Sequence, residues 1–347
     1  MSDDAPASSS PEPWPAPLPW QRDWLVERLR ARDRMHHAHL VTGPAGLGKK
    51  TLALHLAQAL LCESPRAEGL ACGTCAGCGY VSARTHPDLS VLDLWDYDEK
   101  GETWEPVAEI VVDRVRAVID MTQTSAHRAG RRVAVVAPAE RMTAEASNAL
   151  LKTLEEPPAG ALLVLTSDQP GRLLPTVASR CLRVAAPRPS VEDSAAWLAE
   201  RGVVGAEALL AEAGGAPLAA LALAESGSRD ERDAWYDALS EPRRLAPIAL
   251  GARIDAGGKD ERKARLAAAL DAIVAWTADL ARVAAGGAPL RLPGRAGALA
   301  SLAPRVARID LCRYHRAVLT ERARIAHPLQ PRLVAEALVS DYRTLFA

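Results

Sequence analysis

The chain has few aromatic residues, no excess of charge of either sign and no long apolar run. Only 4% of its 347 residues are aromatic, with a single Phe. Lys and Arg number 42 against 43 Asp and Glu, giving a formal net charge of −1. That balance excludes a basic nucleic-acid coat, so any DNA contact must use a local patch or borrowed neighbours. No apolar run approaches the roughly 20 residues of a membrane span. The N-terminus lacks a basic-then-apolar leader, and a cytoplasmic protein without membrane contact is expected. Cysteine is sparse at six, yet four of the six fall between positions 62 and 78. The length predicts two or three domains, with cores large enough to fold without disulfides.

Residues 1–17 (MSDDAPASSSPEPWPAP) have almost nothing to bury and read as a disordered tail. Gln21–Arg32 has Trp24, Leu25, Arg28 and Leu29 at helical spacing. His39–Thr42 is a short buried strand, followed by GPAGLGKKT and an apolar helix over Lys50–Leu61. Val111–Thr122 and Ala144–Glu155 read as helices, the second stopped by Pro157–Pro158. Arg132–Ala137, Leu162–Ser167 and Leu182–Ala185 read as buried strands. Such alternation predicts an α/β domain with a parallel sheet covered on both faces, over 18–187. Beyond Pro187 strands disappear. Short helices over Val191–Arg201, Gly205–Ala213 and Pro217–Ala224 suggest a small helical domain, 188–229. A polar break at Glu225–Asp233 then leads into Ala/Leu-rich helices, an all-α domain over 230–347.

A working phosphate loop reads G-x-x-x-x-G-K-[ST], its backbone N–H groups and Lys holding phosphate and its hydroxyl holding Mg²⁺. Gly43, Gly48 and Lys49 are in place, but Lys50 stands where the hydroxyl belongs. Thr51 lies a further ~100° round the helix and points away from the metal position. Hydrolysis also needs carboxylates at the end of the strand after the helix near 115. That strand ends Val135–Val136–Ala137–Pro138, and the nearest acid is Glu140. Two defects at one centre predict a loop able to hold phosphate but not to hydrolyse ATP.

Cys62-x₉-Cys72-x₂-Cys75-x₂-Cys78 brings four thiols together in a Gly-rich excursion. Four thiolates on short loops suit a closed tetrahedral Zn²⁺ site; an iron–sulfur cluster is the rival reading of C-x₂-C-x₂-C. Without redox features elsewhere, structural zinc is the expectation. Cys181 and Cys312 read as small buried apolar residues. Arg180, in Ser179–Arg180–Cys181, reads in isolation as a surface arginine.

Several segments together change that reading. The phosphate-loop remnant, the four cysteines after its helix, Thr85–His86–Pro87–Asp88, the run NALLKTLEEPP over 148–158 and Ser179–Arg180–Cys181 resemble the clamp-loader family of the bacterial DNA polymerase III holoenzyme, a branch of the AAA+ ATPases. The resemblance covers about 20–187 and is only architectural beyond. It implies an AAA+ module, a helical lid (188–229) and a helical collar (230–347) that joins subunits in a ring-like pentamer. Lys50, Ala137 and Pro138 depart from the active pattern in the manner of the branch that has lost its ATPase residues. Arg180 resembles the arginine finger reaching a neighbouring subunit's ATP, while Cys62, Cys72, Cys75 and Cys78 match the zinc ligands. Thr166 matches a sensor position without chemistry here. The resemblance implies gamma/tau and delta subunits, the sliding clamp and primed DNA as partners. No intrinsic ATPase or polymerase chemistry is expected, and the retained Gly43, Gly48, Lys49 and nearby Thr51 leave nucleotide binding open. An active ATPase of the same family and a stand-alone nucleotide- or DNA-binding module are the alternatives.

Overall fold

The computed structural model describes residues 14–97, 104–128, 130–325 and 330–347. The first 13 residues of the expected tail lie outside this range. The chain divides into two compact units, Met1–Pro189 and Ser190–Ala347.

In the first unit, β1 (Ala38–Thr42), β2 (Leu89–Leu92), β5 (Arg132–Val136), β6 (Ala161–Ser167) and β7 (Leu182–Ala185) form one parallel sheet. Its order is β2-β5-β6-β1-β7. A separate hairpin pairs β3 (Trp95–Tyr97) with β4 (Trp104–Pro106). The helices are α1 (Arg22–Arg30), α2 (Lys49–Leu60), α3 (Ala76–Ser82), α4 (Val112–Gln123), α5 (Ala144–Glu155) and α6 (Pro175–Ala178). β5 and β6 are buried at every position, as their continuous apolar runs require in a sheet covered on both faces. Leu150 and Leu154 of α5 pack with Val115 and Val118 of α4 over one face. Thr143 caps α5, its hydroxyl oxygen accepting the Ala146 N–H at 3.2 Å.

The sheet register sets the site. Val41 lies opposite Thr166 on one side and Val184 on the other, so the exits of β1 and β6 are neighbours. Loops leaving the carboxyl ends of such strands are where α/β folds build ligand sites.

The second unit is helical: α7 (Val191–Ala199), α8 (Ala206–Glu212), α9 (Pro217–Glu225), α10 (Arg229–Ser240), α11 (Pro247–Ile254), α12 (Lys259–Ala284), α13 (Ala296–Leu302), α14 (Arg308–Ala323) and α15 (Pro331–Thr344). It contains the helices of both the expected lid and the expected collar. Its core gathers on Trp276, whose indole N–H donates to Tyr342 Oη at 2.8 Å. Tyr342 Oη in turn donates to the Leu239 carbonyl at 3.0 Å.

Two expectations need correction here. The polar break is shorter than 225–233: only residues 226–228 separate α9 from α10, which starts at Arg229. Asp230 and Glu231 suit a helix N-terminus, and Arg232 is buried against Glu212 at 3.0 Å. Cys312 is exposed rather than buried. The inward face of α14 belongs to Leu311, Tyr314 and Val318, and Cys312 sits ~100° from Leu311.

Candidate functional site

The phosphate loop leaves β1 and runs into α2, with Gly46 and Gly48 at φ +81° and +80°. Those left-handed values favour glycine, which carries no Cβ penalty there. The loop is braced from outside: Gln21 Nε2 donates to the carbonyls of Leu47 and Gly48 at 3.2 and 2.8 Å. Gln21 is buried, and nothing in the sequence marked it.

Lys49 is buried, and its ammonium is already engaged. It donates to the Pro44 carbonyl at 2.6 Å and pairs with Asp168 Oδ1 at 2.5 Å. Asp168 follows β6, and its own N–H donates to Glu140 Oε1 at 2.8 Å, as does that of Gln169 at 3.1 Å. Glu140 thus ties the turn after β5 to the turn after β6. Lys50 turns the other way and pairs with Asp93 at 2.9 Å. Asp93 is buried just beyond β2 and also holds Arg84 at 3.1 Å. An ammonium donates but has no lone pair, so Lys50 cannot replace a metal-binding hydroxyl. The exit of β5 carries Ala137 and Pro138 where carboxylates would be needed.

The four cysteines converge. The Sγ atoms of Cys62, Cys72, Cys75 and Cys78 all lie within 4.8 Å of one another. Cys62 and Cys75 are 3.8 Å apart, and Cys72 and Cys78 are 3.9 Å apart. A tetrahedron with metal–sulfur bonds of about 2.3 Å has edges of about 3.8 Å, so the donor set fits one tetrahedral ion such as zinc. Backbone N–H groups support the sulfurs: those of Thr74 and Cys75 donate to Cys72 Sγ at 3.4 and 3.2 Å and bring its thiol down to about 6. The Cys72 N–H donates to Cys62 Sγ at 3.3 Å. Burial pushes the Cys78 thiol up. Cys75 and Cys78 belong to the start of α3 rather than to a loop. Gly77 is required there, since a Cβ would lie 2.8 Å from the Leu61 carbonyl.

Arg128 anchors this module to the sheet. Its Nε donates to Glu63 at 2.9 Å, and its guanidinium lies 5.0 Å from the Tyr80 ring centroid. Its backbone N–H donates to Asp88 Oδ2 at 2.9 Å, beside the His127 N–H on Oδ1 at 2.8 Å. Asp88 is buried. The Thr85–His86–Pro87–Asp88 segment therefore pins the 127–128 turn.

Ser179–Arg180–Cys181 follows α6. Cys181 is buried, and burial pushes its thiol up to about 11. Arg180 stays partly exposed and pairs with Glu155 Oε1 at 2.5 Å. Thr166 is buried within β6. Gly43, Gly48, Lys49 and Thr51 thus share one loop and helix start, while the cysteines and Arg180 form separate sites. Asp168 and Glu140 as partners of the loop are the residues sequence reasoning missed; a carboxylate at a strand exit beside a phosphate loop is the signal that could have found Asp168.

The family described as "DNA polymerase III, delta subunit" matches residues 23–189. The DNA polymerase III subunit delta' of Pseudomonas aeruginosa is 44% identical over 218 residues, 62% of this chain and 63% of that protein. The delta' of Escherichia coli is 38% identical over 229 residues, 64% of this chain and 65% of that protein. The tau subunit of Escherichia coli is 31% identical over 150 residues, 43% of this chain and 21% of that protein. The matched segments span less than two thirds of the delta' relatives' own length. Over residues 23–189 the chain matches that family, and in sequence it is similar to the delta' subunits of DNA polymerase III.

Proposed function

We propose that this chain is an ATPase-deficient delta' subunit of a clamp loader, which helps load the sliding clamp onto primed DNA. The pairing of Lys50 with buried Asp93 carries this reading. It commits the position of the Mg²⁺-binding hydroxyl to a structural ion pair, beside a β5 exit that has no carboxylate. Such a chain contributes to catalysis through a neighbour. Arg180 is the group for that role: always charged, partly exposed, and set on a turn whose next residue is buried. In trans it would meet the γ-phosphate of ATP bound to an adjacent gamma/tau subunit, where charge develops during transfer. Gamma/tau and delta are the proposed partners. Primed DNA would be met through the assembled complex, which suits a net charge of −1.

In this reading the four cysteines hold a structural zinc ion, 188–229 forms the lid, and 230–347 forms the collar that joins subunits. The setting would be the cytoplasm. The test is reconstitution with tau and delta. Arg180→Ala should leave assembly intact and cut DNA-stimulated ATPase at least ~100-fold, a floor set below the ~10³–10⁵ range of arginine-finger effects. Unchanged ATPase would remove the finger assignment. Turnover of Mg-ATP by the purified chain alone would instead make it an active ATPase.

A further inference from the structure

We infer that Glu155 is the positioning residue for Arg180, holding its guanidinium ready for a neighbour's phosphate. The inference rests on the finger reading above. The backbone of the turn is fixed first. The Arg180 N–H donates to the Val177 carbonyl at 3.2 Å, the Ser179 hydroxyl donates to the Thr176 carbonyl at 3.2 Å, and Cys181 is buried in the core beside α5.

A long arginine side chain on such a turn would still sample many rotamers, and ordering it on binding costs conformational entropy. Two contacts hold it here. Arg180 Nη1 donates to the Thr176 carbonyl at 2.8 Å, and Nη2 meets Glu155 Oε1 at 2.5 Å. One partner is the second residue of α6 and the other is the last residue of α5, so two elements grip a planar group. A guanidinium has five N–H donors in a fixed fork, so these two contacts leave donors for a phosphate. The backbone at Glu155 is fixed, because it ends α5 and the Pro157–Pro158 that follow set that end.

Glu155 could instead act as a latch, competing with phosphate for the guanidinium. Exposure decides against that. The two side chains keep 34% and 49% of their accessible surface, so their attraction is screened: it biases the guanidinium's resting position and costs little to give up when a phosphate arrives. Catalytic groups held in place in advance raise rate chiefly through orientation.

The test uses the complex reconstituted with tau and delta, read as DNA-stimulated ATPase. Glu155→Ala should lower kcat about 3–10-fold with the KM for ATP unchanged, a small share of what misplacing a reacting group can cost. Glu155→Gln, which keeps an acceptor oxygen of the same length, should recover most of the loss. Glu155→Ala/Arg180→Ala should be no slower than Arg180→Ala alone, because both changes remove one function. If Arg180→Ala slows turnover but Glu155→Ala leaves it unchanged or faster, the positioning role is wrong and the finger stands. Additional loss in the double variant would place the effect of Glu155 elsewhere and equally overturn the inference. If Arg180→Ala changes nothing, the finger reading itself fails.

Discussion

Lys49 and Asp168 form a 2.5 Å ion pair across the mouth of the phosphate loop. The lysine that would meet a phosphate thus already has a carboxylate on it. Asp168 is held in turn by Glu140, which accepts its backbone N–H. A nucleotide must displace this internal anion before it can use Lys49.

Replacing Asp168 by Asn should therefore tighten nucleotide binding. The amide is isosteric but uncharged, so the Lys49 ammonium becomes available to phosphate. We expect the dissociation constant for ATP, measured by calorimetry without Mg²⁺, to fall about tenfold, or ~1.4 kcal/mol. On the proposed function, Asp168→Asn should not hydrolyse ATP, because Lys50 still occupies the hydroxyl position and β5 still ends in Ala137–Pro138. Equal affinity in the two proteins would show that the ion pair does not guard the loop.

The cysteine cluster makes a prediction independent of any partner. The purified chain should carry one zinc ion, counted by elemental analysis. Cys72→Ser or Cys75→Ser should lose it and lower the melting temperature by about 5 °C or more, since metal held only by the folded site adds to folding stability. A chelator should reproduce the shift in the unsubstituted chain and leave the Cys72→Ser chain unaffected. Iron in the preparation, or no metal at all, would remove the zinc assignment.

Legibility in the sequence followed the strength of local signals. α5 was readable to the residue, because Pro157–Pro158 stop the helix just beyond its end. β5 and β6 were readable as continuous apolar runs. β2 was not, since Leu89–Leu92 is four residues long and buried fully only at Leu92. The β3–β4 hairpin is shorter still, and its strands have three residues each. The cysteines stood out through residue type and spacing, and Arg180 only through the family resemblance of its segment. Asp168, Glu140 and Glu155 did not, because each acts through a partner brought near only by the parallel sheet or by helix packing. An acid whose counter-ion is distant in sequence reads as a solvated surface residue.

Asp88 gives a prediction with a sign in pH. Burial alone would raise its carboxyl, but the N–H groups of His127 and Arg128 outweigh this and hold it below the usual range. A carboxylate depressed in the folded state contributes stability that is full above its unfolded value, about pH 4, and is lost as pH falls through the folded value. Asp88→Asn should remove that contribution, costing about 1–3 kcal/mol at neutral pH. Its stability should then depend less on pH below about 4. Denaturant melts of both proteins between pH 3 and 7 would check this; parallel profiles would show that Asp88 is not the titrating group.

In the helical unit the corresponding device is Asp279. It is buried on α12, and its carboxylate accepts three consecutive backbone N–H groups, from Leu290 at 3.0 Å, Arg291 at 2.8 Å and Leu292 at 2.7 Å. One side chain therefore fixes the turn after α12 and the direction in which the chain returns towards α13. Truncation leaves donors without acceptors, a cost larger than the loss of one surface contact. Asp279→Ala should destabilise this unit by about 2–4 kcal/mol. Asp279→Asn should cost less, because one acceptor oxygen remains, and should fall between the two in a thermal melt. The zinc content of the Asp279→Ala chain should stay unchanged, since the cysteines belong to the other compact unit. An Asp279→Ala chain as stable as the unsubstituted one would mean that the turn holds without its three hydrogen bonds.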